Sequence, residues 1–301
     1  MFAQVSLIPA ESKKLIAKSV ARMDLVQRAV SDGIVVLHPS SSTYFVVEEI
    51  TGQKPPSNMW VAGAIVPKGA CGDLGIAIGP KSVFTSPPKL DPRTGKPSPG
   101  GFPHSWVLRK GQWSPKEPLG ELLDQMGPND VYVKGVNAID KDGNVGVLWA
   151  NDMVGGTAAY VSKASRRNGF QMVFPVGLEK LIPGTVRAAA RDARKFEYDY
   201  AMGASCGLLP VKGHVVTELK AIEILSGAKA TVVAAGGLGG AEGAVTLVIK
   251  GETDQVAKAI EYVEASKGAQ LPQVRTANCF DCPNPPGICK FRLGGKPWVL
   301  W

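Results

Sequence analysis

The chain has 301 residues, 45% hydrophobic and 20% charged, with 35 glycines, 23 prolines and five cysteines, a balance that excludes a disordered protein and leaves room for two domains. Its formal charge of +8 is unfocused: the densest basic stretch, Arg187, Arg191, Arg194 and Lys195, has helical spacing and is interrupted by Asp192 and Glu197, so the expected partner is an anionic small molecule and not nucleic acid. No run approaches the roughly 20 apolar residues of a membrane helix, and Glu11, Lys13 and Lys14 follow too closely on the short apolar start for a signal peptide, which gives a cytoplasmic expectation with no membrane partner. In chain order, Ile8, Leu15, Ile16, Val20, Met23, Leu25, Val26 and Val30 recur at three- and four-residue steps and predict one amphipathic helix from Pro9 to Asp32, with Ser12 as its cap and Gly33 as its stop. Ile34–Leu37 reads as a buried strand, followed by the polar turn His38–Thr43 and helical character from Tyr44 to Ile50. Residues 51–130 offer a strand at Trp60–Val66 and then the run SPPKLDPRTGKPSPGGFPHSW, whose Pro and Gly content excludes regular structure; a loop this long is a lid, an arm or simply mobile. Strands at Asp130–Val136, Val145–Trp149 and Phe170–Val176, with a helix opened by Gly155, Gly156 and Thr157, give the alternation of a parallel, Rossmann-like sheet.

A second unit is expected from residue 206: strand Cys206–Val211, helix Val215–Ser226, strands Thr231–Ala235 and Ala244–Lys250, and helix Thr253–Ser266. This order predicts a ferredoxin-like α+β sandwich, and its helices are apolar on one face only, through Leu219, Ile222 and Leu225 and through Val256, Ile260 and Val263. The fold class expected is therefore α/β in three parts: a Rossmann-like domain over 1–200, a smaller ferredoxin-like domain over 206–268, and a Cys-rich tail over 269–301 with an apolar end, Trp298–Trp301.

The tail carries the sharpest chemical spacing. Cys279 and Cys282 are two residues apart and Cys289 follows six residues later, with Pro283, Pro285, Pro286 and Gly287 between them. Two thiolates at that spacing reach one metal from a tight turn, so the expectation is zinc or an iron–sulfur cluster, with Cys206, Cys71, His214, an exchangeable ligand or a neighbouring subunit as the fourth ligand. A redox dithiol is the alternative. Elsewhere, Lys134 ends an otherwise apolar strand; strand ends in open α/β sheets bind ligands, and the other reading is a lysine that snorkels to solvent. Glu179 beside Lys180 at the end of a strand reads as a solvated or salt-bridged pair.

Two segments, IVVLHPSSSTYFVVEEI and DVYVKGVNAIDKDGNVGVL with the later GGT, resemble the superfamily that includes glucosamine-6-phosphate deaminase, ribose-5-phosphate isomerase, the coenzyme A transferases and the sugar-phosphate-sensing domains of some repressors. The resemblance implies a phosphate-type pocket with Ser41, Ser42 and Thr43 on one side, Gly155, Gly156 and Thr157 on another, and Asn137 between them, since amide groups at a helix start together with hydroxyls complement an anion. It also implies catalytic candidates, Asp140 for isomerase-like proton transfer and Glu179 for a transferase-like nucleophile, and Lys134 joins them as a substrate contact by its place at a strand end. Residues 206–268 resemble the bacterial-microcompartment shell domain in the order GLL-x-x-KG, helix, Gly-rich stretch, strand, helix, which implies a homo-oligomer. Two functions are thus expected as alternatives, an enzyme or sensor for a sugar phosphate or acyl-coenzyme A, or an oligomeric structural, shell-associated protein.

Overall fold

Runs of Val, Ile and Leu alternate with helix-forming segments along the described residues, which in this computed structural model are 1–55, 61, 64–66, 69–71, 105–114, 119–150 and 155–273. The chain runs β1 (Phe2–Leu7), α1 (Pro9–Val20), α2 (Asp24–Asp32), β2 (Ile34–Leu37), α3 (Ser41–Thr51), the short hairpin β3 (Ala64–Val66) and β4 (Gly69–Cys71), then β5 (Trp106–Arg109), β6 (Gln112–Trp113) and α4 (Leu119–Gln125). It continues through β7 (Val131–Val133), β8 (Ala138–Ile139), β9 (Val145–Trp149), α5 (Gly156–Asn168), β10 (Gln171–Pro175), a single 3-10 turn at Leu178–Lys180 and α6 (Val186–Asp192). It closes with β11 (Gly207–Val211), β12 (His214–Val216), α7 (Glu218–Ser226), β13 (Lys229–Ala235), β14 (Val245–Lys250) and α8 (Thr253–Glu264). This is a mixed α/β architecture, and among the described residues no helix is long and apolar enough to cross a membrane.

The central sheet has the order β12-β10-β7-β2-β5-β6. Strands β12, β10, β7 and β2 are parallel, in register through Val36 opposite Tyr132 and Val173 opposite Val133, while β5 and β6 continue antiparallel beyond β2. Side chains alternate along each strand and serve two faces. Val35, Leu37, Val131, Val133 and Val173 enter a core shared with α1, α3 and α7; Ile34, Val36, Tyr132, Met172 and Phe174 enter a second core under α4 and α5. A smaller antiparallel sheet, β1-β14-β13, adds its inner residues Leu7, Val245, Leu247 and Ile249 to the first of these cores.

Sheet pairing crosses the boundary expected at residues 200–206. β11 joins β9 antiparallel, with Leu209 opposite Val147, and β12 extends the central sheet beside β10. The place expected for the first strand of a self-contained ferredoxin-like unit is taken from the other end of the chain, because β1 pairs with β14 through its whole length. One apolar core therefore spans α1, α7, α8 and both sheets, and 206–268 shares its interior with the N-terminal residues. Two helical expectations also change. The single helix at Pro9–Asp32 is two, separated at Met23, whose backbone is extended (φ −66°, ψ 132°) just before Asp24 opens the second. The helix expected from Val215 begins at Glu218, because His214–Val216 is a β-branched strand and Thr217 then accepts from Lys220 N as a cap.

Ion pairs hold the layers in place. Lys14 reaches Glu48 at 2.8 Å and Glu49 at 3.0 Å, fixing α1 against α3. Glu11 closes the start of α1 by accepting from Ile8 N and binds both Lys267 (2.6 Å) and the amide of Gly268 (3.0 Å) beyond α8.

Candidate functional site

Parallel strands put all their carboxyl ends on one edge, so the residues that follow β12, β10, β7 and β2 stand in a row: Glu218, the Gly177–Lys180 turn, Lys134 and His38. The chain leaves β2 toward one face, where α3 packs with α1, and the helix α5 that follows β7 lies on the opposite face. Such a divergence marks the switch point of the sheet, where a crevice between the two strand ends is the usual ligand position in open α/β sheets. At this switch point Gly135 packs closely on α3: a Cβ at that position would stand 2.7 Å from Ser40 Oγ and 3.3 Å from Ser42 Cβ, so only glycine lets the chain after β7 lie against the start of α3.

The α3 start is held by its own side chains. Ser40 caps it by accepting from Thr43 N at 3.2 Å, and Thr43 Oγ1 donates to the carbonyl of His38. Ser42 is buried and accepts from Lys180 Nζ at 3.3 Å, while the same ammonium donates to the Val136 carbonyl at 2.7 Å. Lys180 is thus a fixed cation beside the crevice; burial pulls its pKa down to about 8, against the opposing pull of Glu179.

Lys134 is only 8% exposed, and among the described residues no carboxylate pairs with it and no hydrogen bond engages its Nζ. Burial, reinforced by the Lys180 cation, lowers its pKa to about 7. His38, also buried, is held well below its ordinary pKa by burial and by Lys134, and its Nδ1 shares a 2.9 Å hydrogen bond with Tyr132 Oη. Behind the lysines, Lys13 Nζ meets Glu179 Oε1 at 2.5 Å, and Glu179 Oε2 is buried with no hydrogen-bond partner. Glu218 is fully buried, accepts from Leu178 N at 3.1 Å through both oxygens, and has its pKa pushed up to about 7 by burial. At neutral pH the arrangement offers one fixed ammonium, one amine poised between its two protonation states, serine hydroxyls and a helix start, a set that attracts an anion and can exchange a proton with it.

The residues expected from the sequence divide in two. Lys134, Ser42 and Thr43 meet at this crevice with Ser41, the first residue of α3, and Glu179 stands behind it through Lys13. Asp140 does not come to it as a free acid: its carboxylate accepts from Asp142 N, Asn144 N, Asn144 Nδ2 and Val186 N, which makes it the brace of the β8–β9 turn. Asn137 is exposed and accepts from Leu148 N across the same hairpin. Gly155 adopts a left-handed conformation (φ 80°) at the start of α5, against Leu209 and Ala159, and among the described residues no hydrogen bond joins Gly155–Thr157 to the lysines. Lys180, His38, Ser40, Lys13 and Glu218 are additions made by the fold; Lys180 and His38 sit directly beside expected residues, whereas Lys13 and Glu218 carry no sequence signal, since both lie on amphipathic helices.

Cys279, Cys282 and Cys289 lie outside the described residues. Of the other metal-ligand candidates, Cys206 is a free, half-buried thiol whose pKa is raised by burial, His214 is engaged with Gln171 at the start of β10, and the Cys71 side chain also lies outside the described residues. Among the described residues no group of three or more His, Cys, Asp or Glu side chains is placed to hold a metal ion. No family model, curated protein or solved structure matches the chain.

Proposed function

We propose that the protein binds, and as an enzyme transforms, an anionic small metabolite of the sugar-phosphate or acyl-coenzyme A class in the crevice between the carboxyl ends of β2 and β7. The observation that carries this reading is the pair of lysines there: Lys180 is held beside Ser42 by two hydrogen bonds, and Lys134 is buried with no described carboxylate to neutralise it. Burying positive charge without a counter-ion is unfavourable, and an anionic ligand would relieve it. The similarity of the strand–turn–helix segment to the deaminase, isomerase and coenzyme A transferase superfamily supports the same site. Isomerase-like proton transfer then falls to Lys134 in place of Asp140, and a transferase-like role falls to Glu179 only if its pairing with Lys13 opens. The tail cysteines Cys279, Cys282 and Cys289 supply a separate zinc or iron–sulfur site.

Thermal-shift measurements with a panel of sugar phosphates, acyl-coenzyme A thioesters and simple anions test the reading, because a ligand that binds only the folded protein raises its melting temperature. A rise that is lost in Lys180→Met is expected; no rise with any anion would overturn it. The second reading, an oligomeric structural protein, is favoured by exposed apolar residues of the small sheet, Phe2 at 77% and Val233 at 53%, and by Leu238 at 90% in the loop that follows β13. Light scattering decides it, a large particle unresponsive to anions being the result that prefers it.

A further inference from the structure

The lysines of the described interior are not alike. Lys13 is paired with Glu179, Lys180 is tied to Val136 and Ser42, and Lys195 lies over the rings of Trp149 and Phe196 at 5.6 and 4.5 Å. Lys134 alone among them has no described partner for its nitrogen, although it stands at the carboxyl end of a central strand, in the crevice, with the fixed cation Lys180 and neutral His38 on either side. A lysine that serves only to hold an anion is best fully charged and anchored. One left unanchored, desolvated and next to a second cation has the surroundings of an amine nucleophile.

We infer that Lys134 is a carbonyl-reactive amine, and that the ligand of the crevice is an anionic aldehyde or ketone that Lys134 captures as an imine while Lys180 and the α3 start hold its anionic group. The inference rests on the anion-binding reading above. The nitrogen lone pair attacks the carbonyl carbon to give a carbinolamine; the former carbonyl oxygen then leaves as water, carrying both protons of the amine, and a C=N bond joins ligand to lysine. No oxidant or metal enters the step. The pKa of about 7 supports it, since close to half of the amine is neutral near pH 7, whereas a surface lysine is almost entirely protonated there.

Reductive trapping tests the proposal. The full-length protein is incubated with glyoxylate, with glycolaldehyde phosphate, or with neutral glycolaldehyde, each followed by borohydride, and modified peptides are located by mass spectrometry. The expected result is labelling of Lys134 at least about tenfold faster than of any surface lysine, suppressed by inorganic phosphate, and slower with the neutral aldehyde than with its phosphate. Preference between the first two compounds identifies the anionic group as carboxylate or phosphate. Lys134→Arg should abolish the fast label, and the site ratio within the unaltered protein needs no variant at all. Labelling spread evenly over the lysines overturns the inference. If glycolate or inorganic phosphate still raises the melting temperature in that case, the anion site stands without the imine; if no anion does, both fall.

Discussion

Replacing Lys134 by methionine removes a buried charge that has neither a carboxylate nor a hydrogen bond for its nitrogen among the described residues, and keeps a flexible apolar stem of similar length. The fall in its pKa from the ordinary 10.5 to about 7 corresponds, at 1.36 kcal/mol per pH unit, to roughly 4–5 kcal/mol against the charged form in the folded protein. Below pH 7 both folded and unfolded chains carry the proton, so this cost is present in full. Between about 7 and 10.5 the unfolded chain holds a proton that the folded chain has released, so the stability of the parent rises with pH; above that range the cost is gone. Relaxation around the ammonium reduces the full figure, and Lys134→Met is expected to be more stable than the parent by about 2–4 kcal/mol at pH 6, the gap shrinking below about 1 kcal/mol by pH 10. Urea unfolding followed by tryptophan fluorescence at several pH values, in buffers free of phosphate and carboxylate, measures it. A gap that does not change with pH, or a variant less stable than its parent at pH 6, would refute the reasoning that Lys134 is buried at an electrostatic cost.

The pH response of Glu218→Gln should run the other way: the parent's folded-state pKa is about 7, above its ordinary 4.5, so the parent loses stability relative to the variant as pH rises from 4.5 through 7, and equal differences at pH 4.5 and pH 8 would count against a buried, proton-holding carboxyl. Gly135→Ala should destabilise by about 1–3 kcal/mol because its methyl meets Ser40, and Ser40→Gly in the same chain should restore part of that; chemical denaturation of the four chains reads the coupling. Asp140→Ala, which strips acceptors from four donors, should cost about 2–4 kcal/mol in the same assay, while the anion-induced rise in melting temperature persists; its loss in a well-folded variant would return Asp140 to the site. Zinc content and the absorption spectrum of anaerobically purified protein should show a metal or cluster that disappears in Cys279→Ser and Cys282→Ser, and colourless, zinc-free protein would rule the metal site out.

Local patterns carried the central layer well. Ile34–Leu37 and Val145–Trp149 form strands at the bounds their apolar runs predict, and Gly156 opens α5 as expected, because buried β-branched runs and glycine-rich helix starts declare themselves over a few residues. Long-range pairing did not. Phe2–Leu7 alternates in burial, yet its partner is at the far end of the chain, and Gly207–Val211 fits a hairpin with either neighbouring unit until β9 is seen beside it. The site shows the same division. Lys134 stood out because a charge at the end of an apolar strand breaks the local rule, whereas Lys13 and Glu218 sit at ordinary helix positions and gain meaning only when α1 and α7 bring them under β10. Asp140 is expected as an acid and Asn137 as a ligand contact, and the fold spends their oxygens on backbone amides, Asp142, Asn144 and Val186 for the first and Leu148 for the second.

The pairing of β1 with β14 also bears on how the chain is made. Ser6 and Thr246, which share a 2.8 Å hydrogen bond, are 240 residues apart in sequence, so a ribosome releases the first strand long before its partner exists. Until then the apolar inner side of β1 lacks the small sheet that covers it, and the entropy of closing so long a loop is met only once β14 has emerged. The central parallel strands can assemble earlier, while the last layer must wait, which makes the interval before β14 emerges the period in which the nascent protein is most exposed to misassociation and to holdase chaperones.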